Sequence, residues 1–354
     1  MRVAYLTLAF LFAFRIPQTL QTPASQMLTS GIDTSLRGLS ASTANKTHIL
    51  WATGSNGVIL RSPDSGKSWI RLHIDNADTQ DFRGIRSFGA DVAYVFSVGN
   101  DNKSHIYKTS DAGKTWRTQY SDPRRAFFLD GLVCRSEKDC FAISDPIDGK
   151  FPIVHTEDGE HWNELSQTSE PSALPTEGLF AASNTSLILC GPDQNDILFA
   201  TGGPAARVFH STDNGGTWSV AITPVLSGNP SAGIFSLACV DSAVVAVGGD
   251  YRNPTSAKSV AAYSNNLGAT WHLSDTPPAG YRSSVVAVPS KTISTIWVAV
   301  GTTGADISTD AGAHWKSLNQ ENVNAALTIA RNFVLTAGPK AAINQIRTGK
   351  LPNR

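Results

Sequence analysis

Ser62-Pro63-Asp64-Ser65-Gly66-Lys67-Ser68-Trp69 is the stretch on which the fold turns, because it recurs. Thr109-Ser-Asp111-Ala-Gly113-Lys-Thr-Trp116, Ser211-Thr-Asp213-Asn-Gly215-Gly-Thr-Trp218 and Ser308-Thr-Asp310-Ala-Gly312-Ala-His-Trp315 keep its spacing. Ser264-Asn-Asn266-Leu-Gly268-Ala-Thr-Trp271 has Asn for Asp, and His155-Thr-Glu157-Asp-Gly159-Glu-His-Trp162 is a degenerate copy. Successive Trp residues lie 47, 46, 56, 53 and 44 positions apart, a period that belongs to repeat architectures.

Each copy reads as a hairpin turn. Apolar residues precede it (Val58-Ile59-Leu60) and a short strand follows (Trp69-Ile70-Arg71-Leu72). The Asp carboxylate can accept nearby backbone N–H groups, Gly supplies a positive φ, and Trp opens the outgoing strand with a large ring that can pack against the neighbouring unit. These residues (Asp64, Trp69, Asp111, Trp116, Asp213, Trp218, Asp310, Trp315) are therefore structural. Side chains in separate turns do not form one metal site, and no metal is expected. A strand ending in Gly precedes each complete turn, as in Ile49–Gly54, Tyr94–Gly99, Leu198–Gly202, Val244–Gly248 and Trp297–Gly301. A further strand lies before that, so each unit holds four. Ala325–Ile329, Phe333–Gly338 and Ala342–Ile346 give a last unit of three strands, whose outer strand is expected from Gln26–Ser30. The expected fold is all-β: a seven-bladed β-propeller, with a six-bladed ring plus appendix as competitor.

Composition agrees with a folded, turn-rich chain. The 354 residues include 29 Gly and 18 Pro, with 41% apolar residues. The 29 basic and 29 acidic residues cancel, which argues against a generally basic nucleic-acid binder. Arg2 followed by the apolar run Val3–Phe14 reads as a signal peptide, with Thr22-Pro23-Ala24 offering a cleavage site. The expected organisation is thus a signal peptide over 1–24 and one propeller domain over 25–354, exported to the periplasm or secreted. No other stretch has the length of a membrane helix. Four Cys suit an oxidising compartment. Cys134 and Cys140 flank a turn and can form a disulfide across the hairpin. Cys190 and Cys239 are either a second pair or two small buried hydrophobes.

The repeated turns resemble the Asp-box, or bacterial-neuraminidase repeat. With a Gly-ended strand before nearly every one, the chain over about residues 30–347 is similar to propellers of the photosystem II stability/assembly-factor type. That resemblance implies a binding or assembly role without a catalytic residue or cofactor, and an Arg-rich surface. Phe14-Arg15-Ile16-Pro17 also matches the Phe-Arg-Ile-Pro motif of sialidases, but it sits at the end of the signal's apolar run. In the sialidase alternative Asp33 is the candidate acid and Tyr281 the candidate nucleophile, with no obvious Glu partner.

Innermost strands line a propeller's channel, and several begin with Arg: Leu36-Arg37-Gly38, Phe82-Arg83-Gly84 and Tyr281-Arg282-Ser283, with Arg125 ahead of the third. Guanidinium groups gathered at one mouth suit carboxylates or phosphates. Two inserts, 144–150 with Asp145 and Asp148 and 249–254 with Asp250, Tyr251 and Arg252, add polar groups on loops. The expected partner is a protein or a small anionic ligand rather than nucleic acid, bound by a monomer.

Overall fold

The computed structural model describes residues 32–290, 295–318 and 322–348. The signal-peptide reading, the Phe14–Pro17 motif and Gln26–Ser30 lie outside those residues. Seven antiparallel sheets follow one another along the chain. Blade 1 comprises Leu36–Ala44, Thr47–Gly54, Ile59–Ser62 and Ile70–Leu72, paired in chain order from the axis outward. The innermost strands of blades 2 to 7 are Asp81–Phe88, Leu129–Ser136, Leu187–Cys190, Asn229–Val240, Ser284–Pro289 and Ala325–Ala330. Blade 7 has three strands among the described residues. It closes on blade 1, where Leu36 N–H donates to Gly338 O (3.0 Å) and the Asn324 amide donates to Ser35 Oγ (2.9 Å) and Leu36 O (3.0 Å). The seventh unit is therefore a blade of the ring, and the six-bladed alternative is excluded.

The core is divided into wedges. Each pair of neighbouring blades shares its own apolar cluster, from the blade 1–2 group around Trp51, Phe82 and Val95 to the blade 7–1 group around Leu36, Leu50 and Leu335. The turn Trp contributes to the wedge on the preceding side. Trp116 meets Trp51 edge to face at 6.2 Å, Trp162 meets Tyr94 at 5.9 Å, and Trp315 joins Val245 and Trp297.

The repeated turn is tied by a fixed set of hydrogen bonds. Ser62 Oγ accepts the Gly66 N–H (2.8 Å) and donates to Asp64 Oδ1 (2.8 Å). Asp64 in turn accepts the Ser68 N–H (2.9 Å) and the Ser68 hydroxyl (2.6 Å). Thr109, Asp111 and Thr115 repeat this set, as do Ser211, Asp213 and Thr217. Asn266 does the same with its amide, accepting from Thr270 N–H and donating to its hydroxyl (both 2.9 Å). Blade 3 departs from the sequence alignment. Asp158, not Glu157, accepts the backbone N–H groups of Glu160 and His161 (both 2.8 Å), because this turn is one residue shorter between Asp and Gly. The Gly must lie at positive φ, as Gly113 does at 85°, where a Cβ would also collide with Leu72 of blade 1.

Two disulfides are present. Cys134–Cys140 spans the first hairpin of blade 3, where the two residues pair directly across the ladder. Cys190–Cys239 joins the inner strands of blades 4 and 5, 49 residues apart, a loop whose closure is worth about 4 kcal/mol in the chain-entropy account.

Replacing Trp315, 6% exposed, by Ala should lower the unfolding free energy by about 3–5 kcal/mol, read from denaturant titration. A second prediction concerns acid. Hydrogen bonds from the Ser68 hydroxyl and the Thr115 N–H hold Asp64 and Asp111 at about 2, below the ordinary 3.8. The folded value lies below the unfolded one, so this contribution is present above pH 3.8 and is lost as pH falls through about 2. Asp64→Asn/Asp111→Asn should therefore lose less melting temperature than the native chain between pH 4 and pH 2, measured by calorimetry.

Candidate functional site

The loops from second to third strands, and the connections from each outer strand to the next blade, open on one face. The repeated turns lie on the other. Arg37, Arg83, Arg125, Asp145, Asp148, Asp250, Tyr251, Arg252, Tyr281 and Arg282 all fall on the first face, where the axial channel has its mouth.

Four of the innermost strands begin there with a β-bulge. In blade 1 the register slips between Leu36 and Gly38, in blade 2 between Phe82 and Gly84, in blade 3 between Leu129 and Gly131, and in blade 5 between Ile234 and Ser236. A bulge re-aims the extra side chain. The residues so placed are Arg37, Arg83, Asp130 and Phe235. Blade 6 pairs Ser284 with Val300 and shows no slip. Counted back from that pair, Ser283 occupies the bulge position and Arg282 the position of Leu36 and Phe82, which point into the wedge. Arg282 is accordingly 1% exposed. Its guanidinium is ion-paired to the equally buried Asp306 and donates to Tyr281 O and Thr303 Oγ1 (both 2.8 Å). Arg282 is a core ion pair rather than part of the mouth.

The channel is crossed by the chain itself. Residues 181–184, leading into blade 4, are all buried. Arg37 Nη1 donates to Ala182 O (3.5 Å), Arg83 Nη1 to Ala181 O (2.8 Å) and Arg86 Nη2 to Asn184 O (3.3 Å). Leu132 N–H donates to the Asn184 side chain (2.7 Å), and Ser183 Oγ donates to Ser283 O of blade 6 (2.7 Å). Blades 1, 2, 3 and 6 thus grip one segment from blade 4.

Electrostatics at the mouth are mixed. Arg83 is shared between Ala181 O and Asp81, whose Oδ2 it reaches at 2.6 Å. Burial, then the nearby Arg83 charge, lowers Arg37 from the usual arginine range. Beneath them, Asp130 is 1% exposed and leaves Oδ2 without a hydrogen-bond partner. Burial, then the neighbouring Asp145, pushes Asp130 well above the carboxylate range, and burial pushes Asp145 up to about 6. Asp145 Oδ1 accepts the Leu179 N–H (2.9 Å), so it also anchors the crossing segment.

An aromatic shelf adjoins the crossing segment. Phe180 stacks on Phe235 at 3.8 Å, and Tyr281 meets Phe235 edge to face at 4.8 Å. Tyr251, 46% exposed, caps both Phe rings, with the Arg252 guanidinium over its own ring at 5.8 Å. Burial raises the Tyr281 hydroxyl, against the charges of Arg37 and Arg83. Asp250 supports the turn by accepting the Arg252 N–H (2.9 Å). Two predicted residues stand apart from this group. Arg125 is an exposed partner of Asp101 (2.7 Å), and Asp148 sits at the tip of the tight turn in which Ile147 and Lys150 exchange backbone hydrogen bonds. Sequence reasoning missed Asp130, Phe235 and residues 180–184. The first two carry a readable signal, since Leu129-Asp130-Gly131 and Ile234-Phe235-Ser236 occupy the slot of Leu36-Arg37-Gly38.

The molecule is thus a closed seven-bladed propeller with a plugged axis and a shallow face of guanidinium groups and aromatic rings. It belongs to the family described as the DUF6242 beta propeller domain, which matches residues 32–312. A curated relative, the photosystem II assembly lipoprotein Ycf48 of Synechococcus sp. (strain CC9902), is 29% identical over 72 residues, a match spanning 20% of each chain. A solved structure of YCF48 bound to D1 peptide superposes with a TM-score of 0.61 at 15% identity, covering 90% of this chain and 96% of that one. YCF48 from Cyanidioschyzon merolae gives 0.62 at 12% identity, covering 91% and 98%. BamB from Moraxella catarrhalis gives 0.51 at 11%, covering 89% and 83%. At these identities the likeness is one of fold: the chain shares the propeller architecture of the two YCF48 structures. Among the described residues no helix is long and apolar enough to cross a membrane.

The register argument separates two arginines. Arg282→Ala strands the buried Asp306 and should cost about 3–5 kcal/mol of stability. Arg252→Ala, on the exposed shelf, should change stability by less than about 0.5 kcal/mol. Urea unfolding of the two variants checks both.

Proposed function

We propose that this protein is an exported, non-enzymatic binding or assembly factor that holds a partner protein on its mouth face. The observation that carries this reading is the plug. With residues 181–184 across the axis, the mouth offers a surface, and Arg37, Arg252 and Tyr251 present cationic and aromatic groups to whatever lies on it. Such a surface suits an extended polypeptide segment with a carboxylate, since guanidinium forks bind carboxylates in pairs and aromatic rings bury apolar side chains. The D1 peptide carried by one solved relative supports a peptide-type partner. The lipoprotein relative, the signal-like N-terminus and the two disulfides support an exported protein acting outside the cytoplasm. The sialidase-like alternative has less to stand on, because the charged groups acting on Tyr281 are Arg37 and Arg83.

The test is affinity capture from the envelope fraction by the mature chain and by Arg37→Ala/Arg252→Ala, with Tm measured for both. The expected result is a partner retained by the native chain, eluted by raised salt and lost with the double variant, whose Tm falls only by what the loss of the Arg37–Ala182 contact accounts for. Equal capture by both chains would move the interface off the mouth. Turnover of a fluorogenic sialoside by the native chain would overturn the non-enzymatic reading. Binding should also respond to acid. Asp145 loses its charge as pH falls through about 6, so the mouth becomes more cationic and an anionic partner should be held more tightly at pH 5.5 than at pH 7.5.

A further inference from the structure

Charge is scarce along the innermost strands. Arg37, Asp81, Arg83 and Asp130 stand at the mouth end, where guanidinium groups and carboxylates lie together. Further along, on the turn side of the crossing segment, come Arg86 and Arg135. The inner strands of blades 4 to 7 carry no charged residue. Arg135 is answered: it pairs with Asp139 (3.0 Å) and donates to Asn214 Oδ1 (2.7 Å) and Gln194 O (2.9 Å). Arg86 has no acid partner among the described residues. Its guanidinium makes one hydrogen bond there, from Nη2 to Asn184 O (3.3 Å), and burial alone lowers it to about 10 from the ordinary 12.5. A guanidinium in that range is still protonated at neutral pH, and a charge drawn out of water calls for a counter-charge.

A second donor stands beside it. Asn184 is 2% exposed; its Oδ1 accepts the Leu132 N–H, and its Nδ2 is buried without a hydrogen-bond partner. That amide lies against Gly84, where a Cβ would come within 2.8 Å of Nδ2. Gly84 and Arg86 are two residues apart on one strand and share its side, so amide and guanidinium lie on the same side of blade 2. Below the crossing segment the channel reaches solvent, since Ala41, Ile188, Ala238, Val286 and Thr328, on five inner strands, are all partly exposed. We propose that Arg86 anchors an anion site in the axial channel, on the turn side of the crossing segment, that takes a small oxyanion of the phosphate class. The guanidinium fork meets two oxygens of such an ion, and the Asn184 amide is the neighbouring donor. Residues 181–184 close the mouth side, so the ion enters from the turn face. The site is thereby separate from the mouth, where Arg37 and Arg252 lie beyond the segment.

Calorimetric titration with inorganic phosphate tests the proposal on the mature chain, on Arg86→Gln and on the mouth variant Arg37→Ala/Arg252→Ala. The native chain should show one saturable site. The mouth variant should keep it, and Arg86→Gln should bind at least about tenfold more weakly, as expected for the loss of a charge-assisted pair. No saturable binding by the native chain would mean that water alone solvates Arg86, and would overturn the proposal. Unchanged binding by Arg86→Gln, or loss of binding in the mouth variant, would place the anion elsewhere and overturn it too. If Arg86→Gln does not fold, crystals of the native chain soaked in sodium selenate decide instead. An anomalous peak beside Nε and Nη1 of Arg86 supports the site, and the absence of a peak there overturns it.

Discussion

Everything in this molecule rests on the contact between one blade and the next. A short antiparallel sheet has two faces, and a blade of this size cannot bury both by itself. Stacking the sheets in a ring gives every face a neighbour, so each wedge becomes a small core walled by two blades. The blade 3–4 wedge, with Phe141, Phe151, Phe199 and Phe209, and the blade 4–5 wedge, with Leu198, Ile234 and Val244, show how little is shared between successive wedges. Stability is then distributed around the ring, with no single central core whose loss would be felt everywhere at once.

The repeated turn serves that contact. Its Ser/Thr and Asp close the hairpin, its Gly lets the turn approach the preceding blade, and its Trp fills the wedge shared with that blade. Asn266 shows that the charge is dispensable while the geometry is kept. Asp158 shows that the turn survives the loss of one residue if the carboxylate still reaches the outgoing N–H groups. What recurs is a hydrogen-bond pattern, and the sequence motif is its usual spelling.

That distinction explains what could be read in advance. Trp spacing and Gly-ended strands exposed the blades, because both mark positions where geometry admits few residues. The mouth was only partly legible. Arg37 and Arg83 sit on bulges, whereas Arg282 misses that position by one residue and turns inward, and nothing in Tyr281-Arg282-Ser283 reveals where a ladder slips. The acidic inserts lie on the mouth face, where Asp148 sits at the tip of a tight turn and Asp250 bonds within its own loop. Residues 180–184 escaped notice altogether. They belong to a long irregular approach to blade 4, and their partners come from five other blades, a kind of contact that periodicity does not report.

The Cys190–Cys239 bond has a consequence for how the ring can come apart. The ring closes at the seam between blades 7 and 1, where the described residues begin and end. The disulfide joins blades 4 and 5, on the far side of the circle. A molecule that opens at the seam can peel from either terminus only as far as the staple, which keeps the two halves in register for reclosure. In a reducing compartment the same opening would run on through the middle blades. Recovery from partial unfolding is thereby tied to the redox state of the place where the protein works, quite apart from any effect on the resting structure.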